Sequence, residues 1–300
     1  MSAPTPVSTG TATLIGVSAV LMWSTTIALF RSISEIFGAV GGAATIFSVA
    51  TVFAILLFGL PRLRDFSPRY LCMGGALFVA YEISLALSLG FALDRDQALQ
   101  LGMINYLWPS LTILLAVIAG QERGSWWLLP ASGICFAGIF QVMKGDNAWS
   151  TGVLWNNILS NPRAYALAFA AAFLWAFYSV FTRRFGSGKN AVPLFLMATA
   201  STLWIHYALG SEPALTFHLA GSLQVLLLGL LMATAYSCWN HGIQHGSITL
   251  LAAASYFTPL LSAALACLWL NINPGLNFLY GVLLVTAGSL ICWRVTRRRH

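Results

Sequence analysis

The sequence predicts an all-α integral membrane protein of ten transmembrane helices, arranged as two inverted five-helix repeats with both termini in the cytoplasm. Three observations carry that prediction. The 300 residues are 58% hydrophobic and only 8% charged, with a mean hydropathy of +0.79, whereas roughly a quarter of residues in a soluble domain are charged. The cations are unevenly spread along the chain. Segments half a chain apart also resemble one another.

Uncharged stretches long enough to cross hydrocarbon as helices, about 17 to 25 residues, fall at 12–30, 37–60, 70–93, 98–119, 125–143, 164–182, 191–209, 219–241, 248–270 and 276–293. Outer-membrane barrel strands would instead alternate polar and apolar residues over about ten positions. The linkers between the stretches are short and leave no room for an extramembrane domain. The leading MSAPTPVSTGTAT carries no Lys or Arg, so a cleaved signal peptide is not expected.

With both termini inside, the inner face holds Arg62, Arg64, Arg69, Arg123, Arg183, Arg184, Lys189, Arg294, Arg297, Arg298 and Arg299. The outer face holds only Arg31, Arg95, Lys144 and Arg163. This is the positive-inside distribution. The basic tail WRVTRRRH reads as a topology anchor against anionic headgroups, and nucleic acid is not an expected partner.

The repeat shows best in NYLWPSLTILLA at 105–116 and SYFTPLLSAALA at 255–266, which share Tyr, Pro, Leu, Leu and Ala in register. Ala137 and Gly138 match Ala287 and Gly288 at the same shift of 150, and LMWSTTIALFR around Trp23 resembles FLWAFYSVFTR around Trp175 at a shift of 152. The chain divides into a first repeat at 1–145, an extracytoplasmic connector at 146–163 and a second repeat at 164–300. Five helices per repeat is an odd number, so the second repeat enters the membrane from the opposite side. Inverted repeats with interrupted helices at their interface mark secondary transporters.

Pro109 and Pro259 remove an amide and crowd the carbonyl four residues earlier, so helix breaks are expected there, freeing the carbonyls of Asn105 and Ser255. Each is followed by a tyrosine, Tyr106 or Tyr256. In hydrocarbon a freed carbonyl needs protein, water or ligand as partner, which suits a central cavity.

Glu82, in LFVAYEISLALSLG next to Tyr81, is an acidic residue midway along an apolar span, with no Lys or Arg expected in any span. An intramembrane carboxylate is a functional candidate by default: it can bind an ammonium, carry a proton or hydrogen-bond a tyrosine as a neutral acid. Its repeat partner is Met232. Trp175 and Tyr178 share one helix face, Tyr236, Trp239 and Asn240 share another, and Trp23 occupies the position equivalent to Trp175. Their flat rings with polar tips suit an aromatic ring or, through cation–π contact, an ammonium. The candidate substrate-binding set is therefore Trp23, Tyr81, Glu82, Asn105, Tyr106, Trp175, Tyr178, Tyr236, Trp239, Asn240, Ser255 and Tyr256.

Cys72, Cys135, Cys238, Cys267 and Cys292 fall inside spans without paired spacing and read as core residues. Cys238, His241 and His245 share a helix face with metal-ligand spacing, but two glycines and a helix end interrupt it, so no metal is expected. Gly38 and Gly42 form a Gly-x-x-x-Gly face that packs helices within a chain as readily as between chains; a monomer is the expectation. No motif pairs a nucleophile or metal with a base inside the spans, so an enzyme is not expected.

These features together resemble the drug/metabolite transporter superfamily of the EamA-like kind: the two-fold repeat, the tryptophans at 23 and 175, Tyr-x-x-Pro at 106–109 and 256–259, and Ala-Gly at 137–138 and 287–288. The likeness spans nearly the whole chain. It implies a multi-pass transporter of the bacterial inner membrane that exports neutral, preferably aromatic, amino acids by alternating access. It also implies no cofactor, in keeping with the lack of a nucleotide-binding glycine loop. The segments 94–97, DRDQ, and 241–247, HGIQHGS, would close the outer and inner sides. The runner-up is proton-coupled efflux of lipophilic cations. The absence of cations expected in the spans disfavours anionic substrates.

Overall fold

The computed structural model describes residues 8–120, 125–144, 151–186, 189–246, 251 and 254–297. Among them every regular element is a helix, the arrangement in which a chain in lipid satisfies its own backbone. In order these are α1 (Thr9–Trp23), α2 (Thr26–Phe37), α3 (Ala39–Phe58), α4 (Gly75–Gly90), α5 (Arg95–Asn105), α6 (Trp108–Ile118) and α7 (Leu128–Lys144). They continue with α8 (Thr151–Ser160), α9 (Pro162–Phe185), α10 (Val192–Leu209), α11 (Leu219–His245), α12 (Thr258–Leu270) and α13 (Leu276–Arg297). A π-turn at Tyr70–Gly74 leads into α4.

Seven apolar helical stretches are long enough to cross a membrane: Thr9–Phe37, Ala39–Phe58, Tyr70–Gly90, Arg95–Ile118, Pro162–Phe185, Val192–Leu209 and Leu219–Trp239. Three shorter apolar helices join them at Leu128–Lys144, Thr258–Leu270 and Leu276–Cys292. The protein is thus a multi-pass, all-helical membrane protein, and each expected span overlaps one of these segments, the ninth, 248–270, only over Thr258–Leu270 because residues 248–250 and 252–253 lie outside the described residues. Within the expected connector, residues 151–160 form the short helix α8.

The first span departs from expectation. It was expected to stop before Arg31, yet the helix runs to Phe37 with Arg31 buried at 9% exposure. The helix tolerates this charge because the guanidinium is spoken for: Nε donates to Glu35 at 2.9 Å and Nη1 to the Ala92 carbonyl at 2.6 Å. An arginine therefore does lie within a helical stretch long enough to span. Cys72 also departs from its expected core position: it is exposed, in the π-turn, while Cys135 and Cys292 are buried.

Four helix pairs dominate the packing: α7 on α13, α1 on α11, α3 on α10 and α4 on α9. Glycines permit the closest crossings. A Cβ on Gly242 would stand 2.6 Å from the Gly16 Cα, where α1 crosses α11. On α7, a Cβ at Gly138 would meet the Gly281 carbonyl at 2.7 Å, and on α13 one at Gly288 would meet the Ala131 carbonyl at 2.9 Å. Residues 138 and 288 are a shift of 150 apart, and each occupies the other's partner helix.

The ends of the bundle are tied by polar groups. At one end the Glu212 carboxylate accepts the Val40 and Gly41 amides, both at 3.1 Å, where α3 begins; a carboxylate there also opposes the helix dipole. Gly38, at φ 77°, makes the turn into α3, and Gly42 packs on Ile33 and Phe37 of the same chain. The Gly-x-x-x-Gly face is spent internally. At the other end Lys189 meets Asp65 at 3.7 Å.

Candidate functional site

Three helix interruptions meet at the centre of the molecule. At the first proline, α5 ends at Asn105, the amides of Tyr106 and Leu107 turn back to Met103 and Ile104 at 3.1 Å each, and α6 restarts at Trp108. Pro109 then sits in the first turn of the new helix, where its missing amide has no partner to lose. At the second, the Phe257 amide bonds Ala254 at 3.0 Å and α12 starts at Thr258 with Pro259 in its first turn. Each proline thus ends one helix and starts another, rather than kinking a continuous one.

The third interruption has no proline or glycine. Between α1 and α2, the Ser24 hydroxyl donates to the Val20 carbonyl and that of Thr25 to the Met22 carbonyl, both at 2.7 Å. Hydroxyls bonding back to the preceding turn compete with the helix ladder and bend it. The run Ser24, Thr25, Thr26 directly after Trp23 carried this signal. The matching helix α9 is continuous, so the two halves differ here.

Around these breaks lies a cavity of about 40 Å³. Its aromatic wall is Trp23, Tyr81, Tyr106, Trp108, Trp175 and Tyr236, and its polar lining is Thr26, Glu82, Asn105 and Thr258, closed off by Ile27, Leu85 and Met232. Trp175 is the hub of the wall: its ring centroid lies 4.5 Å from Tyr81, 5.2 Å from Tyr178, 5.9 Å from Tyr236, 6.1 Å from Trp108 and 6.3 Å from Trp23. Such tilted and edge-on pairs contribute about 0.5–1.5 kcal/mol each beyond area burial, so the wall is held in shape before any ligand arrives.

Glu82 is 2% exposed and accepts a hydrogen bond from the Tyr236 hydroxyl across the cavity. Among the described residues no Lys or Arg bonds it. Three other lining groups have buried polar atoms with no hydrogen-bond partner among the described residues: Trp23 Nε1, Asn105 Oδ1 and Thr258 Oγ1. One is a donor, one an acceptor and one can be either.

Trp23, Tyr81, Glu82, Asn105, Tyr106, Trp175 and Tyr236, all singled out in the sequence, face this cavity. Tyr178 instead backs Trp175 and meets Phe78 at 5.4 Å, while Trp239 lies behind Trp23, tilted against it at 5.2 Å. Ser255 and Tyr256 are buried but lie off the cavity lining. They are the counterparts of Asn105 and Tyr106, and the break in the first span, which α9 lacks, makes the two walls unequal. The side chain of Asn240 lies outside the described residues. Trp108 and Thr258, missed in the sequence, each immediately precede a break-forming proline, and that shared position was the available signal.

The His241 and His245 rings lie 4.9 Å apart, and among the described residues no group of three His, Cys, Asp or Glu could hold a metal ion. Of the two expected closing segments, residues 94–97 are fully described. Asp94 caps α5 by accepting the Gln97 amide at 2.7 Å, and Arg95 forks onto Glu35 at 2.8 and 3.0 Å. Segment 241–247 is described only through residue 246.

Residues 162–294 match the EamA-like transporter family. Over 288 residues the chain is 44% identical to the aromatic amino acid exporter YddG of Salmonella typhimurium, covering 96% of this chain and 98% of that one. It is 42% identical over 287 residues to the protein of the same name from Escherichia coli, with the same coverage. A solved crystal structure at 24% identity superposes with a TM-score of 0.70 over 97% of this chain and 99% of the other, a likeness of fold.

Proposed function

Because the chain belongs to the EamA-like transporters, and within them to the YddG type, we propose that it exports neutral amino acids, aromatic ones preferred, across the bacterial inner membrane by alternating access. The observation that carries this reading is the cavity's combination of an aromatic wall with unpartnered polar atoms of both signs. A zwitterion needs both. The Trp23 N–H suits a carboxylate, Asn105 Oδ1 and the Glu82 carboxylate suit an ammonium, and Thr258 can serve either; Trp175, Tyr81 and Trp108 would enclose the side chain.

Alternating access also follows from size. A cavity of about 40 Å³ is far below the roughly 300 Å³ at which ligand pockets begin, so the helices must part to admit a substrate. Two inverted five-helix repeats, 1–145 and 164–300, supply the means. This reading is supported by the four main helix pairs, which map onto themselves or each other when the repeats are exchanged. It is supported again by the bundle's ends: Glu35 sits in the last turn of the first span and Lys189 follows its counterpart α9, yet Glu35 bonds at one end and Lys189 at the other. The end bearing Asp65 and Lys189 also carries Arg62, Arg64, Arg69, Arg183 and Arg184, which supports a cytoplasmic position for it. The internally spent Gly38 and Gly42 favour a monomer.

A carboxylate among aromatic rings also favours a second reading, efflux of lipophilic cations coupled to protons. Uptake of labelled tryptophan, phenylalanine and a cationic dye into liposomes holding the purified protein, with and without a pH gradient, separates the two. Saturable amino-acid flux is expected, reduced but not abolished in Glu82→Gln. Gradient-driven dye flux that is lost in Glu82→Gln, with no amino-acid flux, would overturn the proposal.

A further inference from the structure

We propose that Glu35 is the centre of an ionic clamp that closes the extracytoplasmic side of the cavity, so that the resting transporter is loaded from the cytoplasm. This rests on the transport reading above. Two guanidinium groups converge on the Glu35 carboxylate: Arg95 through Nη2 and Nε at 2.8 and 3.0 Å, and Arg31 through Nε at 2.9 Å. Each arginine spends a further donor on a backbone carbonyl, Arg95 on Leu270 at 2.9 Å and Arg31 on Ala92 at 2.6 Å. One carboxylate thereby ties together α2, the segment after α4, the start of α5 and the end of α12.

The helices α2, α5 and α12 also line the cavity, through Thr26, Asn105 and Thr258, and α4, which runs directly into the Ala92 segment, lines it through Leu85. Arg95 is ten residues from Asn105 and Leu270 twelve from Thr258, so the clamp stands about 15–18 Å along the helices from the cavity. Both α5 and α12 adjoin a proline break, so each has a pivot at the cavity and a clamped end beyond it. Drawing the free ends toward α2 narrows that side of the cavity; releasing them lets both helices swing about the breaks.

The clamp is also built to be broken. The side chains of Glu35 and Arg95 are 27% and 46% exposed and line an open basin of about 540 Å³, so water can take over their hydrogen bonds when they part. A fully buried pair would resist opening far more strongly.

At the other end Lys189 meets Asp65 at 3.7 Å, with both side chains about half exposed, and neither residue lies on a proline-broken helix. The position that the repeat sets against Arg95 is His245, whose ring lies against that of His241. A clamp on that side biases the empty protein toward closure there, which is what a carrier collecting substrate from the cytoplasm requires.

The test uses full-length protein in intact cells, with a cysteine reporter at the cavity, Thr26→Cys, in a background whose exposed or half-buried Cys72, Cys238 and Cys267 are serine. A membrane-impermeant thiol reagent is added from outside. The parent should react slowly, and Glu35→Gln and Arg95→Ala about two- to fivefold faster, the shift expected from losing a partly exposed ion pair. Arg95→Lys, which keeps the charge but loses the fork, should fall between them and serves if either other variant fails to fold. Unchanged reactivity in the variants that fold, or acceleration seen only when the reagent reaches the cytoplasmic face in inverted vesicles, would overturn the clamp. Because labelling needs no substrate, its outcome stands apart from whether amino acids are transported.

Discussion

Trp23, Asn105 and Thr258 each leave a buried polar atom unpaired at the same small cavity, an arrangement that costs stability in the empty protein. If those atoms bind the substrate's charged ends, removing one should weaken binding without disturbing the aromatic wall. Trp23→Phe is expected to raise the apparent KM for tryptophan and phenylalanine by roughly tenfold or more, the equivalent of one hydrogen bond to a charged group. Thr258→Val should raise it about fivefold, while Thr258→Ser leaves it near the parent value. Transport kinetics in liposomes check both. Glu82 was visible in the sequence because a carboxylate in an apolar span stands out, but its partner Tyr236 is 154 positions away and nothing local pointed to it. Thr258 was marked only by its place before Pro259, since a threonine in a membrane helix usually bonds its own preceding turn.

At the scale of elements, the molecule depends on where helices stop and where they touch. Pro109 and Pro259 announce two of the three interruptions, and the third is written in serine and threonine hydroxyls alone. Helix contact is equally specific. On α7 and α13 the backbones come too close at Gly138 and Gly288 for any side chain. Gly288→Val is expected to lower the melting temperature in detergent, at a cost of about 1–3 kcal/mol from overpacking. Gly133→Ala, on α7 where an added Cβ meets nothing within 4 Å, should leave it within experimental scatter. The Ala-Gly pairs were legible as a repeat; that each glycine packs against the other's helix emerges only when the two halves are brought together.

For the whole molecule, the ends of the bundle define its orientation. Single cysteines replacing Asp65 and Lys189 should react with an impermeant thiol reagent only in inverted membrane vesicles. Cysteines replacing Asp94 and Asn273 should react only in intact cells. Reaction of 65 and 189 from opposite sides would rule out the inverted relation of the repeats, because the ion pair between them places both at one end.

The sequence by itself determined that this chain lives in lipid and where its apolar segments fall. Those properties follow from composition and period, which every window of the chain carries locally. It also placed most of the cavity's aromatic residues, because rings and a carboxylate at mid-span depth are out of place on a lipid face. Only the tertiary structure decided which of them share the cavity, how small that cavity is and which charges close one end of it. Those depend on pairs more than 50 residues apart, such as Glu35 with Arg95 and Glu82 with Tyr236, and a hydrogen bond between distant residues leaves no periodic trace in the chain.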